Sequence, residues 1–171
     1  MVTDHLPAKI RDWLGRPMVV LEHVVTAERG LWLNFCVAVG DGCPLYWNYG
    51  AAYAITGHVI APPAMLPSWG IPHDWNPDGS LPRVRTLELH FMVKEVLSLP
   101  HGLVTDVELE FHEPIRAGDS VRVEQVLREV GSPKMTRLGP GRNWTIDVFY
   151  HKPDAKLAGI QTLRFLGYQA A

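Results

Sequence analysis

The sequence predicts an α+β protein in which helices precede an antiparallel β-sheet along the chain. In the second half, apolar and polar residues alternate, so that Val107, Leu109 and Phe111 share one face of a strand in TDVELEF. In the first half, apolar residues recur at helical spacing, as in the segment that ends at Gly40. A sheet with one apolar face must cover it, and we expect the helices of the first half to form that layer.

Three helices are predicted before the strands. The first has Thr26 as its N-cap, Glu28 in its first turn and Gly40 at its end. Its apolar face is predicted to consist of Leu31, Phe35, Ala38 and Val39. A second helix covers Ala51 to Ile55 and ends near Gly57. The segment RVRTLELHFMVKEVL fits a strand or a helix, and we favour a helix because the run is long and ends at LSLPHG.

The remaining strands are SVRVEQVLREV, NWTIDVFY and GIQTLRFLGY, separated by the turn KPDAK and a Gly-rich loop. NWTIDVFY places four apolar side chains on one face, namely Trp144, Ile146, Val148 and Tyr150. Short connections between alternating strands favour an antiparallel meander.

The composition describes one domain, residues 1–171, large enough for a real core. Apolar residues make up 47% of the chain and charged residues 20%, which argues against disorder. The net charge of -2 gives no basic field for binding nucleic acid. Apolar runs such as Met18 to Leu21 are too short to cross a bilayer, and the N-terminus has no secretory apolar core. We therefore expect a cytoplasmic protein.

The two cysteines, Cys36 and Cys43, do not form a CxxC pair, so neither a disulfide framework nor a zinc site is expected. Cys36 is predicted to be a small core residue. The segment Ala61 to Pro82 is rich in proline and tryptophan and is predicted to be a long, irregular insertion. It either binds a ligand or partner, or it covers the core through Trp69 and Trp75; the sequence leaves both readings open.

Common catalytic motifs are absent from the sequence. There is no phosphate-binding GxxxxGK[ST] loop, no HExxH and no GxSxG, and no pair of histidines has the helical spacing of metal ligands. His23, His90 and His151 are predicted to be exposed or hydrogen-bonded locally. No metal and no cofactor are expected.

Two stretches resemble a known family. GDGCPLYWN, followed by AAYAITGHVIAPPAML, is similar to the N-terminal half of MaoC-type dehydratases, the FAS1-like dehydratase module of the hot-dog fold. LPHGLVTDVELEFHEPIRAGDSVRV resembles the strand and the Gly-Asp turn of that family. The resemblance runs roughly from Trp13 to Tyr168. It implies a hot-dog fold, an antiparallel sheet wrapped around a central helix, here with the long Pro/Trp-rich insertion.

The resemblance also implies a reaction, that of an (R)-type enoyl-CoA hydratase or dehydratase. Catalytic members add water to, or remove it from, an α,β-unsaturated thioester carried on coenzyme A or on an acyl carrier. They are expected to carry a loop G-D-x-N-P-L-H-x-D/N, in which the Asp and the His activate water, because acid and base must share one water molecule. A backbone N–H at a helix N-terminus polarises the thioester carbonyl.

This chain departs from that pattern at two positions. It keeps Gly40, Asp41, Pro44, Leu45 and Asn48. Tyr46 stands where the catalytic histidine belongs, and a phenol with a pKa of about 10 is a poor base at neutral pH. Pro63 stands at the oxyanion position and has no N–H to donate. By resemblance, such a chain is the non-catalytic, substrate-holding half of a hydratase. Since the sequence ends at Ala171 without a second half, we expect the partner to be a separate catalytic subunit.

The candidate site residues follow from the resemblance. The degenerate catalytic site is predicted at Asp41, Tyr46 and Asn48. The acyl group is predicted to contact Pro62, Pro63, Ala64, Met65 and Trp69. The phosphates of coenzyme A are assigned to Lys134, Arg137 and Arg142 in SPKMTRLGPGRN, where a solvated hairpin tip is an alternative explanation. Acyl-CoA, or an acyl carrier thioester, is the expected substrate.

Three other functions stay open. The first is a self-sufficient homodimeric hydratase, with Asp41 as the base and Tyr46 or His58 as a rearranged partner. The second is a hot-dog thioesterase, which is expected to carry an acid near the central helix; APPAMLPSWG offers none. The third is an acyl-binding module without chemistry. For Asp41 alone, a structural role in the turn before Pro44 is an equal alternative.

Overall fold

The computed structural model describes residues 6–22, 25–72, 77–79 and 85–170. Within them, the helices are α1 Ala8–Trp13, α2 Arg29–Val39, α3 Pro44–Trp47, α4 Tyr49–Thr56, a 3₁₀ helix Pro63–Gly70 and α5 Glu88–Val96. The strands are β1 Pro17–Leu21, β2 His101–Phe111, β3 Arg122–Val130, β4 Lys134–Thr136, β5 Gly139–His151 and β6 Leu157–Tyr168. The predictions for His23 and Trp75 lie outside the described residues, as does the start of the segment RVRTLELHFMVKEVL.

All six described strands form one antiparallel sheet in the order β1-β3-β5-β6-β2, and β4 forms a hairpin with β5. The predicted meander is correct for β3, β5 and β6. It is wrong for β2, which pairs with β6 at the far edge of the sheet instead of lying beside β3. The reason is the connection 112–121, which carries the chain across the end of the sheet and pairs with residues 59–61 through two backbone hydrogen bonds.

One face of the sheet, the inner face, is covered by α5 and the 3₁₀ helix. The four predicted apolar side chains of β5 lie there, all buried: Trp144, Ile146, Val148 and Tyr150. The helix predicted in RVRTLELHFMVKEVL is confirmed as α5, and its Leu89 and Val93 are fully buried. The helix predicted at Ala51 to Ile55 is confirmed as α4, which Gly57 ends in a left-handed conformation.

The predicted start and face of α2 are wrong, although its end at Gly40 is confirmed. Glu28, not Thr26, precedes the first helical residue, because the backbone of Thr26 forms a bridge with Ser120. The buried side chains are Trp32 and Cys36, four residues apart and therefore on one face of the helix. Leu31 and Val39, from the predicted face, are exposed. Cys36 is a core residue, as expected.

Several segments hold regular structure that the sequence did not indicate, among them α1, α3 and β4. The run that ends at Leu21 forms β1, although the first half was predicted to be helical. The insertion that begins at Ala61 was predicted to be irregular but contains the 3₁₀ helix. Proline is tolerated at the start of this helix because the first N–H groups have no partner within it. Met65 and Trp69 anchor the helix in the core.

His90 was predicted to be exposed or locally hydrogen-bonded, and this is wrong. Its side chain is buried on α5, and its ring centroid lies 4.2 Å from that of Phe165 and 5.4 Å from that of Trp144. Within the described part of the chain, Nδ1 of His90 has no hydrogen-bond partner. Burial, followed by the nearby charges of Lys94 and Arg85, lowers the pKa of His90 to about 4.

Candidate active site

The loop between α2 and α4 holds the three residues predicted for the degenerate catalytic site. Gly40 ends α2 with a φ of 69° and donates its N–H to the carbonyl oxygens of Cys36 and Val37. The N–H of Asp41 then donates to the same Cys36 oxygen at 2.9 Å. These bonds complete the helix end and fix where the chain turns toward α3.

The carboxylate of Asp41 is engaged within its own loop. Its Oδ1 accepts a hydrogen bond of 2.9 Å from the N–H of Cys43, two residues along the chain, which is an Asx turn. The backbone oxygen of Asp41 accepts the indole N–H of Trp47 at 2.7 Å. Pro44 follows directly as the first residue of α3. This geometry is that of the structural role considered for Asp41, and it leaves Oδ2 as the oxygen without a bond among the described residues.

Tyr46, at the position of the expected histidine, is half-buried and packs against the core. Burial raises the pKa of its phenol above the usual range, and the neighbouring Cys43 and Asp41 add to the shift. Its backbone oxygen accepts the indole N–H of Trp32 at 3.4 Å. The phenol is therefore neutral at physiological pH and is able to donate a hydrogen bond but not to act as a base.

Asn48 caps the next helix. Its side-chain Oδ1 accepts the N–H of Ala51 at 3.1 Å, which is the expected bond of an N-cap, and its own N–H donates to the Pro44 oxygen at 2.9 Å. The structure thus brings Asp41, Tyr46 and Asn48 together in one loop. In that loop, each contributes hydrogen bonds or packing to the local fold.

The predicted acyl-binding residues all lie at or within the 3₁₀ helix, but they face different surroundings. Pro63 and Ala64 are exposed at its start, whereas Met65 and Trp69 are buried in the core. Pro63 offers no N–H, and the N–H of Met65 donates to the Pro62 oxygen at 3.0 Å. A small cavity of about 90 Å³ borders Pro62 and Pro63 at this end of the helix.

The residues assigned to the phosphates of coenzyme A lie on the β4–β5 hairpin. Lys134 and Arg137 are exposed, and Arg142 is half-buried on β5. The register places Lys134 opposite Gly141, and the hydroxyl of Thr136 donates to the Gly139 oxygen at 2.7 Å to close the turn. The hairpin predicted as the alternative explanation is therefore present, and its exposed tip carries two positive charges.

The structure adds two polar pairs that the sequence reasoning did not single out. His112 lines the 90 Å³ cavity, and its Nε2 lies 2.9 Å from a carboxylate oxygen of Glu110. Tyr150 and Gln161 meet on the inner face, 2.9 Å apart. The sequence could have pointed to the second pair, because Gln161 is a polar residue at an inward position of an alternating strand.

Between residues 6 and 170, leaving aside 23–24, 73–76 and 80–84, no group of three or more His, Cys, Asp or Glu side chains is placed to hold a metal ion. Over the same ranges, no helix is both long enough and apolar enough to cross a membrane.

Two curated proteins, both named as hydratase alpha subunits, are similar to this chain in sequence. A probable enoyl-CoA hydratase alpha subunit of Thermomonospora curvata is 29% identical over 137 residues, which are 77% of this chain and 42% of that protein. The 3-oxo-4,17-pregnadiene-20-carboxyl-CoA hydratase alpha subunit of Mycobacterium tuberculosis is 30% identical over 143 residues, which are 82% of this chain and 40% of that protein. The chain thus spans about two fifths of the length of these relatives.

The fold has solved counterparts. The ChsH1-ChsH2 complex of Mycobacterium tuberculosis contains a chain that superposes with a TM-score of 0.75 at 25% identity, covering 96% of this chain and 89% of that one. A MaoC-like dehydratase superposes with a TM-score of 0.64 at 17% identity. The antiparallel sheet and its covering helices are those of the hot-dog fold. The sequence profile of the FAS1-like dehydratase domain region matches residues 13–142, and the chain belongs to that family.

Proposed function

We propose that this chain is the substrate-holding, non-catalytic subunit of a MaoC-type enoyl-CoA hydratase or dehydratase. It acts on an α,β-unsaturated acyl thioester together with a catalytic subunit of the same fold. The hydratase function rests on the family and on the two relatives named as hydratase alpha subunits. The division of labour rests on the geometry of this chain.

The observation that carries the proposal is the chemistry at Tyr46. Hydration needs a group that accepts a proton from water, and histidine does so because its pKa lies near neutral pH. The pKa of Tyr46 is raised above its already high ordinary value. The phenol is therefore protonated at neutral pH. The nearby carboxylate of Asp41 accepts a backbone N–H through one oxygen, which holds it in the turn.

Pro63 supports the same conclusion for the second requirement of the reaction, which is stabilisation of the thioester oxygen. The developing enolate oxygen of a thioester needs a donor fixed at the start of the helix, and losing one such donor typically lowers the rate by about 10²–10³. Here the first residue of the 3₁₀ helix is proline, and the N–H of Met65 is directed to Pro62. Base and oxyanion donor are thus both missing from the positions where the family places them.

Strand β2 supports the need for a partner. All eleven residues from His101 to Phe111 are exposed or half-exposed, and one edge of the strand has no neighbour within the described residues. Val107 and Phe111 lie on the side of the inner face, opposite Leu163 and Gly159, yet each is about half exposed. No helix within the described residues buries them, so this part of the inner face is completed by a second subunit. The related ChsH1-ChsH2 structure is itself a complex of two different proteins.

The test is hydration of an enoyl-CoA by the purified chain, alone and with a catalytic MaoC-type subunit, followed by loss of the conjugated thioester absorbance. We expect no turnover by the chain alone. We expect turnover by the pair, and we expect it to change less than about twofold when Tyr46 is replaced by Phe, because the phenol carries no proton in the reaction.

Asp41→Asn is the matched control for the rival function. Turnover by the chain alone that disappears in Asp41→Asn would show a self-sufficient hydratase with Asp41 as its base. A pair whose activity falls by more than tenfold in Tyr46→Phe would likewise assign chemistry to this subunit.

A further inference from the structure

Two glutamines lie on the inner face of the sheet, and they differ in what they bind. Gln125 is fully buried, and both ends of its amide are engaged: Oε1 accepts the N–H of Leu89 at 3.0 Å, and Nε2 donates to the Thr86 oxygen at 2.9 Å. In the side-chain amide of Gln161, on β6, only the oxygen has a hydrogen-bond partner among the described residues. That oxygen accepts the hydroxyl of Tyr150 at 2.9 Å.

Gln161 lines a cavity that separates the end of the 3₁₀ helix from the sheet. The cavity has a volume of about 110 Å³, and its walls include Ile71, Leu87, Val123, Val148 and Tyr150. Apolar cavities of roughly 150 Å³ take a single six-membered ring. Ile71, nearly half exposed, lies where the cavity meets the surface. The space therefore suits a short branched group or part of a ring that enters from outside.

The Tyr150–Gln161 pair gives this apolar cavity one polar wall. Tyr150 is buried, and burial raises the pKa of its phenol above the usual range, so the hydroxyl stays protonated and donates to Gln161. With one lone pair of its oxygen occupied by the Tyr150 hydroxyl, Gln161 has the N–H groups of Nε2 to offer a ligand. Within the part of the chain that the structure describes, Nε2 has no acceptor. A donor beside an apolar cavity favours a ligand that brings an acceptor oxygen.

The cavity and the family's oxyanion position lie at opposite ends of the same 3₁₀ helix. The 3₁₀ helix begins at Pro63, the position of the family's oxyanion donor, and it ends at Gly70, whose backbone forms part of the cavity wall. A 3₁₀ helix rises about 2 Å per residue, so the two ends lie roughly 14 Å apart. The cavity wall is closely packed at Gly70, because a Cβ at this position would lie 2.7 Å from Cγ2 of Val123.

We propose that Gln161, held by Tyr150, recognises a carbonyl or hydroxyl oxygen at the far end of the acyl group of the substrate. The substrate class is a thioester whose acyl group is long or bulky enough to reach this cavity from the catalytic subunit and ends in an oxygen-bearing ring or branch. This inference rests on the proposed function, and it adds a determinant of specificity to it.

The test compares the binding of two saturated CoA thioesters, which cannot be hydrated, to the full chain by calorimetry. Their long acyl groups are identical except that one ends in a cyclohexyl ring and the other in a 4-oxocyclohexyl ring. One hydrogen bond to a neutral donor corresponds to a preference of about three- to tenfold for the ketone. We expect this preference in the wild type, its loss in Gln161→Leu, and its retention in Gln169→Leu, a control on the exposed C-terminal side of β6.

Two further measurements cover the case in which Gln161→Leu does not fold. Tyr150→Phe removes the hydroxyl that holds the amide, and we expect it to reduce the preference. In the wild type, the side-chain amide NMR signals of Gln161 should shift with the ketone and not with the cyclohexyl compound. Equal affinity for the two thioesters, or a preference that survives in both variants, overturns the inference alone. Failure of either thioester to bind overturns the proposed function and the inference with it.

Discussion

The two edges of the sheet are built in opposite ways. β1 has five residues, begins with Pro17 and has an irregular register between Pro17 and Val19. It lies against α5, and the ion pair of Arg122 with Glu22 follows its end. β2 has eleven residues, no proline, one register irregularity near Thr105 and apolar side chains that the described helices leave exposed.

Natural sheets protect an edge by keeping it short, breaking its register or placing proline on it. β1 has all three protections. The much longer β2 has one, and an edge of that length with exposed apolar side chains is expected to have a partner. The difference fits the proposed function, in which the side of β1 is finished within the chain and a partner subunit covers the side of β2. Helix α5 spans the two sides: Gln125 of β3 holds its start, and its His90 packs against Gly102 of β2.

The largest effect is expected from a charge on the incomplete edge. Val107→Lys places an ammonium group in the surface that we assign to the catalytic subunit, where it would be buried without a counterion. Burying an unpaired ion costs several kcal/mol, which corresponds to at least about a tenfold loss of affinity. The dissociation constant of the pair, measured by interferometry, checks this expectation.

Val20→Lys on β1 is the matched control, because Val20 is also an exposed valine on an edge strand. We expect its effect on affinity to stay below about twofold, as for an exposed residue outside an interface. Equal losses in the two variants would remove the distinction between the edges. An unchanged affinity in Val107→Lys would place the partner elsewhere.

The next largest effect is expected on the pH dependence of stability, through His90, the residue of α5 that packs against β2. The pKa of His90 is about 4 in the folded protein against an ordinary 6.5, so the unfolded chain takes up a proton first as the pH falls. The contribution of a neutral His90 is therefore complete above pH 6.5 and is lost progressively as the pH falls toward 4. The loss in the free energy of unfolding amounts to about 3 kcal/mol.

Urea unfolding curves between pH 7 and pH 4 measure this loss. His90→Phe keeps a ring between Trp144 and Phe165 and should flatten the pH dependence, whereas His58→Gln, on an exposed residue, should leave it unchanged. If the wild type and His90→Phe lose stability in parallel, the buried histidine is not the cause.

The smallest effect is expected on the side of β1, where Gln125 lies opposite Val19. Gln125→Leu has nearly the same size but cannot accept the N–H of Leu89 at the start of α5. We expect the free energy of unfolding to fall by about 1–2 kcal/mol, as for the loss of a helix cap. Thermal unfolding at neutral pH checks the value, and Gln169→Leu, which removes an exposed hydrogen bond from Nε2 to the Ser98 oxygen, gives the comparison for a bond lost outside the core. A stabilised Gln125→Leu would mean that apolar packing outweighs the cap.

Much of the fold could be predicted from local patterns. Alternation located β2, β3, β5 and β6, since a side chain on a strand meets one face at every second position. The end of α2 at Gly40 and that of α4 at Gly57 were readable because a left-handed residue after a helix favours glycine. Placing β2 beside β6 was beyond these patterns, because strand order depends on contacts between residues far apart in sequence.

The site was predictable as a location and less so as a mechanism. The family loop pointed to Asp41, Tyr46 and Asn48, and the structure gathers them. That Asp41 would accept the N–H of Cys43 and Asn48 that of Ala51 depends on turn geometry, which the sequence only favours. Gln161 was passed over because alternation marks which face a residue occupies, not whether a cavity adjoins it.

The acidic residues of β2 bear on whether this edge strand pairs with a second copy of itself or with a strand of a different protein. Asp106, Glu108 and Glu110 occupy alternate positions, and Arg164 is the cation that pairs with the first two among the described residues. Two copies of β2 joined about a twofold axis would set one row of carboxylates beside an identical row, and like charges across neighbouring strands destabilise the pairing. A strand of different sequence escapes this penalty by bringing cations. Such a row would disfavour a homodimer joined through β2, which fits the proposed pairing with a different chain.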